Sequence, residues 1–223
     1  NRTARHDYAI LDTIEAGLQL YGTRQQEMST LDLQVAQVDV GPRFRFGGED
    51  GWNIRPYALG SAVTLDDSRY FVSYGVGLAG EVPFGPAFAR IGARFAPSAA
   101  DLLRATGGVT FANTRAEYER NIEYSVDLSY YRQFAAPLGL TQAPWVASIS
   151  GGRTLRYYDG VDFTVDPNTT RYDREWSLGA GLSVRFLGNW SANLQLQRQW
   201  VRSSIENYVY TNTSGTIGLG YAF

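Results

Sequence analysis

Cysteine is absent from the 223 residues, and histidine and methionine occur once each. Without cysteine there is no disulfide framework, no thiolate metal cluster and no thiol nucleophile. With His6 as the single imidazole, a general base near neutral pH has one candidate. Charge is also sparse. Charged residues make up 19% of the chain, against roughly 25% in an ordinary soluble domain. The net charge of −2 gives no electrostatic reason to expect nucleic acid. No run approaches the roughly 18 apolar residues of a transmembrane helix. Phosphate loops, metal-ligand clusters and dinucleotide fingerprints are missing, so neither metal nor cofactor is expected. The start lacks an initiator Met and a signal peptide, and Asn1 is expected to be a processed or trimmed start.

What is present is glycine, with 24 residues, and aromatic side chains, with 15 Tyr, 11 Phe and 5 Trp. That much aromatic content on so little net charge excludes disorder. The ordering signal has a period of two. Trp176, Leu178, Ala180, Leu182, Val184 and Phe186 alternate with Glu175, Ser177, Gly179, Gly181, Ser183 and Arg185. Trp190, Ala192, Leu194 and Leu196 then repeat the design after a tight Leu187-Gly188-Asn189 link, a hairpin signal. Similar alternation marks Val38–Phe46, Tyr70–Val82 and Arg120–Phe134. Weaker versions lie at Tyr8–Tyr21, Trp52–Leu65, Ala87–Phe95 and Trp145–Leu155, and the chain closes on a last strand ending at Phe223. About ten strands result, with no convincing amphipathic helix.

These runs are long for a globular sheet, whose strands average roughly 5–6 residues, and long enough to cross a bilayer. One face is apolar throughout. The other is Gly, Ser, Gln and charge, which suits a narrow wet lumen better than an open solvent face. The expected fold is therefore all-β, a transmembrane antiparallel up-and-down β-barrel of about ten strands, with a soluble two-sheet protein as the alternative. Residues 1–7 would be a periplasmic N-terminal segment and 8–223 the barrel.

Connections support a sidedness. Residues 22–30, 97–117, 158–171 and 203–211 read as long outer loops, and 47–51, 83–86, 135–142 and 187–189 as short periplasmic turns, with 65–69 out of step. The short turns are flanked by Phe46 and Trp52, by Phe84, by Phe134 and Trp145, and by Phe186 and Trp190, with Phe223 at the same level. That is an interfacial aromatic girdle. Tyr21, Tyr70, Tyr157, Tyr172, Trp200 and Tyr208 would form the other.

Parity places Arg43, Arg45, Arg55, Arg90 and Arg94 on one lumen wall, and Glu119, Glu123, Asp127 and Glu175 on the other, with Glu81 on the fourth strand. Such walls either select charged solutes in a pore or pair across a lumen and hold it shut. Arg198 and Arg202 point outward beside Trp200, for phosphate contact or interfacial snorkelling. Arg132 points outward against the pattern. Residues Ser98–Arg104 could form a helical turn plugging the mouth, or an exposed loop.

The ending Ile217-Gly-Leu219-Gly-Tyr221-Ala-Phe223, with Leu219, Tyr221 and Phe223 as its markers, resembles the C-terminal insertion signal of Gram-negative outer-membrane β-barrel proteins. The resemblance implies export, insertion by the barrel-assembly machinery, and contact with outer-membrane lipid and lipopolysaccharide. The stretch from Arg55-Pro56-Tyr57 to Tyr74-Gly75-Val76-Gly77-Leu78 is similar to the C-terminal barrels of tetratricopeptide-repeat outer-membrane proteins such as surface-lipoprotein assembly modifiers. Those barrels are larger, and no helical repeat occurs here. The strand count also matches the omptin proteases, but His6 lies on the predicted periplasmic side, where no outer-rim Asp–His dyad can form. The expectation is thus a non-enzymatic integral outer-membrane barrel, either a narrow channel for small charged solutes or an export pore component. The alternative is a structural barrel anchoring a cell-envelope complex through a periplasmic or surface partner, again with no nucleic acid.

Overall fold

The computed structural model describes residues 10–23, 33–47, 51–65, 68–83, 101–114, 116–136, 144–186 and 190–221. Ten strands run in sequence: β1 (Ile10–Thr23), β2 (Leu33–Phe46), β3 (Trp52–Leu65), β4 (Ser68–Pro83), β5 (Leu102–Thr114), β6 (Asn121–Phe134), β7 (Trp145–Val161), β8 (Thr170–Phe186), β9 (Trp190–Ser203) and β10 (Tyr210–Tyr221). All pair antiparallel with their sequence neighbours in one sheet. This is the all-β, up-and-down, ten-stranded order that the alternation implies. Among the described residues no ladder joins β1 to β10, which end the sheet.

The faces are inverted relative to a soluble protein. Ile14, Leu18, Val76, Val126 and Ile217 stand on the outer face with 62–79% of their surface exposed. Buried hydrophobic residues among those described are only Ala136, Val201 and Ile205. No apolar core holds the sheet together, so the backbone ladders and the polar inner face carry its cohesion. Apolar outside and polar inside is the distribution of a transmembrane barrel. Curvature is strong, because Gln37 of β2 and Tyr158 of β7 border the same inner chamber of about 390 Å³.

Glycines admit the curvature and the charges. A Cβ at Gly77 would collide with the Tyr57 ring, and one at Gly152 with the Asp127 carboxylate directly opposite it. Gly47, with φ of +83°, turns the chain after β2, and Phe46 stacks on Trp52 at 4.1 Å across that hairpin. Phe134 meets Trp145 at 6.2 Å, Trp190 meets Tyr221 at 5.1 Å, and Phe186 lies opposite Trp190. These rings gather at one end of the sheet as the girdle pattern implies. Phe84 and Phe223 lie outside the described residues. In the second group, Tyr157 and Tyr172 pack at 4.8 Å, whereas Tyr208 turns inward onto Arg171.

The fifth strand differs from the sequence reading. It is Leu102–Thr114, within the 97–117 stretch that reads from sequence as an outer loop, either exposed or with a helical turn over Ser98–Arg104. Gly107, Gly108 and Ala105 dilute its alternation, but Val109 and Phe111 fall opposite Val76 and Tyr74 on the apolar face. Ala87–Phe95, with Arg90 and Arg94, lies outside the described residues. The link from β4 to β5 therefore spans residues 84–101, a long connection at the end where short turns were expected.

Candidate functional site

The inner face is a ladder of local ion pairs. Arg43 binds Glu15 at 2.8 Å and Arg45 binds Asp12 at 2.7 Å, both from β2 to β1. Arg55 of β3 joins Glu15 at 3.3 Å and also Asp39. Arg104 of β5 donates to Glu81 of β4 through Nε at 2.7 Å, and Asn53 donates to the other carboxylate oxygen at 3.1 Å. Arg156 of β7 bridges Glu123 at 2.5 Å and Glu175 at 2.9 Å, one carboxylate on each neighbouring strand. The structure thus brings Arg43, Arg45, Arg55, Arg104 and Arg156 each onto a carboxylate of an adjacent strand. The opposed basic and acidic walls are replaced by neutral pairs, because Asp12, Glu15, Asp39, Arg104 and Arg156 also face inward. Parity along β1 was obscured by the register shift between Leu11 and Thr13. Asp127 of β6 has no ion pair among the described residues and lies directly opposite Gly152 of β7.

At one rim a polar cluster ties the ends of β7 and β8 and the connection between them to the β9–β10 loop. Arg171 holds Asp173 at 2.6 Å, and its guanidinium lies 4.5 Å from the Tyr158 ring centre and 3.6 Å from that of Tyr208. Asp173, 1% exposed, also accepts from the Tyr158 hydroxyl at 3.1 Å. Tyr208 donates to Asp162 at 3.3 Å, and Asp162 accepts from the Thr164 hydroxyl at 2.6 Å and backbone N–H at 2.9 Å. Those donors favour the charged carboxylate, so the Asp162 carboxyl is held below its ordinary value, the Thr164 hydroxyl contributing most. Ser204 ties β8 to the β9–β10 loop, donating its N–H to the Tyr172 carbonyl and its hydroxyl to that of Thr170.

Arg132 shares its outward face with Tyr130, whose hydroxyl donates to the buried Asp101 at 2.8 Å.

The outer face carries a different group. The ladders align Arg153 of β7, Trp176 of β8 and Trp200 of β9 in one row across three strands. The next row aligns Leu155, Arg174 and Arg202, and the row on the other side aligns Gly151, Leu178 and Arg198. Arg153 lies 5.6 Å from the Trp176 ring centre, Arg198 lies 5.4 Å from that of Trp200, and Arg174 lies 5.3 Å from that of Tyr172. All four arginines are exposed. Among the described residues none of them has an ion pair, whereas the acidic groups of β8, Asp173 and Glu175, are engaged on the opposite face. Sequence reading found Arg198 and Arg202. It missed Arg153 and Arg174, although each shares the parity of its strand's apolar residues. No group of His, Cys, Asp and Glu suited to a metal occurs among the described residues.

Fold and faces define an up-and-down antiparallel β-sheet protein with a charge-paired inner face and an arginine–aromatic lattice outside. The curated proteins it resembles are SsrA-binding proteins. The relative from Leifsonia xyli is 48% identical over 64 residues, 27% of this chain and 39% of that protein. The relative from Thermus thermophilus is 42% identical over 76 residues, 31% of this chain and 48% of that protein. The relative from Staphylococcus saprophyticus is 40% identical over 73 residues, 31% of this chain and 45% of that protein. The chain spans less than half the length of each. No family model matches, and no solved structure matches.

These relatives correct several expectations. The channel, export-pore and envelope-anchor functions, and with them a porin-like transport role, are overturned, because the matched proteins are SsrA-binding proteins. The same finding overturns the Gram-negative outer-membrane location and the partners tied to it, outer-membrane lipid, lipopolysaccharide, the barrel-assembly machinery and a periplasmic or surface protein. It also withdraws the exclusion of nucleic acid. That exclusion rested on net charge. Net charge is a poor guide here, since Asp12, Glu15, Asp39, Glu81, Glu123 and Glu175 are paired with inner arginines, which leaves the outer lattice locally basic.

Proposed function

We propose that the protein binds single-stranded nucleic acid, SsrA foremost, through the outer lattice of β7–β9, acting as a binding protein without chemistry of its own. The carrying observation is the set of four unpaired arginines interleaved with Trp176, Trp200 and Tyr172. Guanidinium groups neutralise phosphates and present flat donor forks, while indole and phenol rings offer faces on which bases stack at about 1–3 kcal/mol each. Strand geometry sets the spacing: neighbouring strands lie about 4.8 Å apart and same-face residues about 6.8 Å along a strand. The lattice therefore spreads its cations over a track rather than focusing them on one anion. The names of the partial relatives support SsrA as the first ligand to test.

The experiment is fluorescence anisotropy of labelled SsrA, and of a mixed-sequence single strand of equal length, with the detergent-solubilised full chain. Binding that is lost when Trp176 and Trp200 are both changed to Ala supports the reading. Absence of binding at low salt, or capture of anionic vesicles but neither strand, would sink it.

A further inference from the structure

The two ends of the sheet, β1 and β10, are 14 and 12 residues long and have no partner strand among the described residues. Among the described residues neither is laddered to a further strand, and an open strand edge invites another strand. Both strands are exposed on both faces over most of their length. Yet their faces match. On the outer side β1 presents Ile14, Ala16, Leu18 and Leu20, and β10 presents Ile217, Leu219 and Tyr221, as fixed by their pairing to β2 and β9. On the inner side β1 presents Glu15, Gly17 and Gln19, and β10 presents Ser214, Thr216 and Gly218.

We propose that β1 and β10 of the same chain zip together antiparallel, closing the sheet into a barrel along a seam that this structure shows open. The polarity is right, because the Ile10 end of β1 lies by the 47–51 turn and the Tyr221 end of β10 by the 187–189 turn, both at one end of the sheet. Intramolecular pairing outcompetes a second copy at ordinary protein concentrations, since a tethered edge has an effective concentration of about millimolar or more. The curvature already turns β2 and β7 toward one shared chamber.

The register follows from the observed ladders. Ile14 lies opposite Pro42, which falls opposite Pro56 between the pairs Val40–Ala58 and Phe44–Ile54. The row continues through Leu78, Gly107, Val126, Arg153, Trp176 and Trp200 to Thr211. A closed barrel must stagger between its first and last strands, and a stagger equal to the strand number gives a tilt of about 36°. Ten residues of stagger along β1, in the direction that keeps the edges overlapped, places Leu18 opposite Ile217, Ala16 opposite Leu219 and Ile14 opposite Tyr221. Apolar then meets apolar on the outside, and Gly17 meets Gly218 inside.

The chain has no cysteine, so engineered pairs report without background. Leu18→Cys with Ile217→Cys should cross-link within the monomer under mild oxidation. Leu18→Cys with Val38→Cys, a pair opposed in the β1–β2 ladder, is the positive control. Failure of the seam pair while the control cross-links overturns closure, as does a product of twice the monomer mass. A cross-link from Leu18→Cys to Leu219→Cys in preference to Ile217→Cys overturns the register.

Discussion

Trp176 and Trp200 face one another across the β8–β9 ladder, and each has an arginine within 6 Å of its ring centre, Arg153 for the first and Arg198 for the second. A cation over a ring with no carboxylate to neutralise it keeps its charge available to an incoming anion, while the ring holds the guanidinium in place. The pairing therefore preorganises a cationic surface.

The salt dependence of binding tests that surface. Each phosphate contact to a single strand adds about 0.7 to the slope of log K against log salt. Replacing Arg153, Arg174, Arg198 and Arg202 by Gln should flatten the slope by about 3, measured by anisotropy between low and moderate salt. An unchanged slope would place the phosphate contacts elsewhere on the molecule.

On the inner face, Arg156 holds two carboxylates from two strands, with 28% of its side chain exposed and 14% of that of Glu175. Removing it leaves Glu123 and Glu175 facing one another without a cation. Arg156→Ala should cost about 2 kcal/mol, more than Arg45→Ala, whose pair with Asp12 is the more exposed. Urea unfolding of the two variants side by side gives the comparison, and equal midpoints would refute the ranking.

Much of this architecture was legible in the sequence, and the failures have physical causes. β8 and β9 read cleanly because bulky residues alternate with small ones over whole strands. β5 was hidden because Gly107 and Gly108 carry no apolar signal, so Leu102–Thr114 passed for a loop. Among the described residues Arg43, Arg45, Arg55, Glu81, Glu123, Asp127 and Glu175 lie on the inner face, but in local pairs rather than in opposed walls. A period of two tells which side a residue faces, not which neighbour it meets, and that depends on ladder register. Arg43 is paired with Glu15 rather than ranged against Glu123 because the β1–β2 register sets Thr13 opposite Arg43 and so brings Glu15 diagonally within its reach. Arg153 and Arg174 share the outward parity of Leu155 and Trp176, but only the ladder register shows that they fall into rows with Trp176, Trp200 and Arg202.

Glycine at Asp127's partner position is a packing requirement. A methyl group at Gly152 would run into the Asp127 carboxylate and the Ser177 hydroxyl, so Gly152→Ala should destabilise by about 1–3 kcal/mol. Gly80→Ala, where the nearest atom would be at 3.7 Å, should change the unfolding midpoint little. Similar losses in both variants would mean that backbone freedom, not the carboxylate, is what glycine supplies.

Acid should loosen the mouth through Asp162. Its carboxyl is lowered from 3.8, first by the Thr164 hydroxyl and then by the Thr164 N–H. A group whose folded value lies below its unfolded value stabilises the fold fully above the unfolded value, and that contribution fades as pH falls through the folded one. The clasp of Asp162 on Thr164 and Tyr208 is therefore intact at neutral pH and is released only below pH 3.8, as Asp162 takes up its proton. Thr164→Val removes the leading donor but keeps the backbone N–H, so it should raise the Asp162 titration midpoint toward 3.8 without abolishing the turn. Carbon-detected NMR titration of the Asp162 carboxyl in the two proteins reads that shift. Identical midpoints would show that Tyr208 and the backbone, rather than the Thr164 hydroxyl, hold the carboxylate in its charged form.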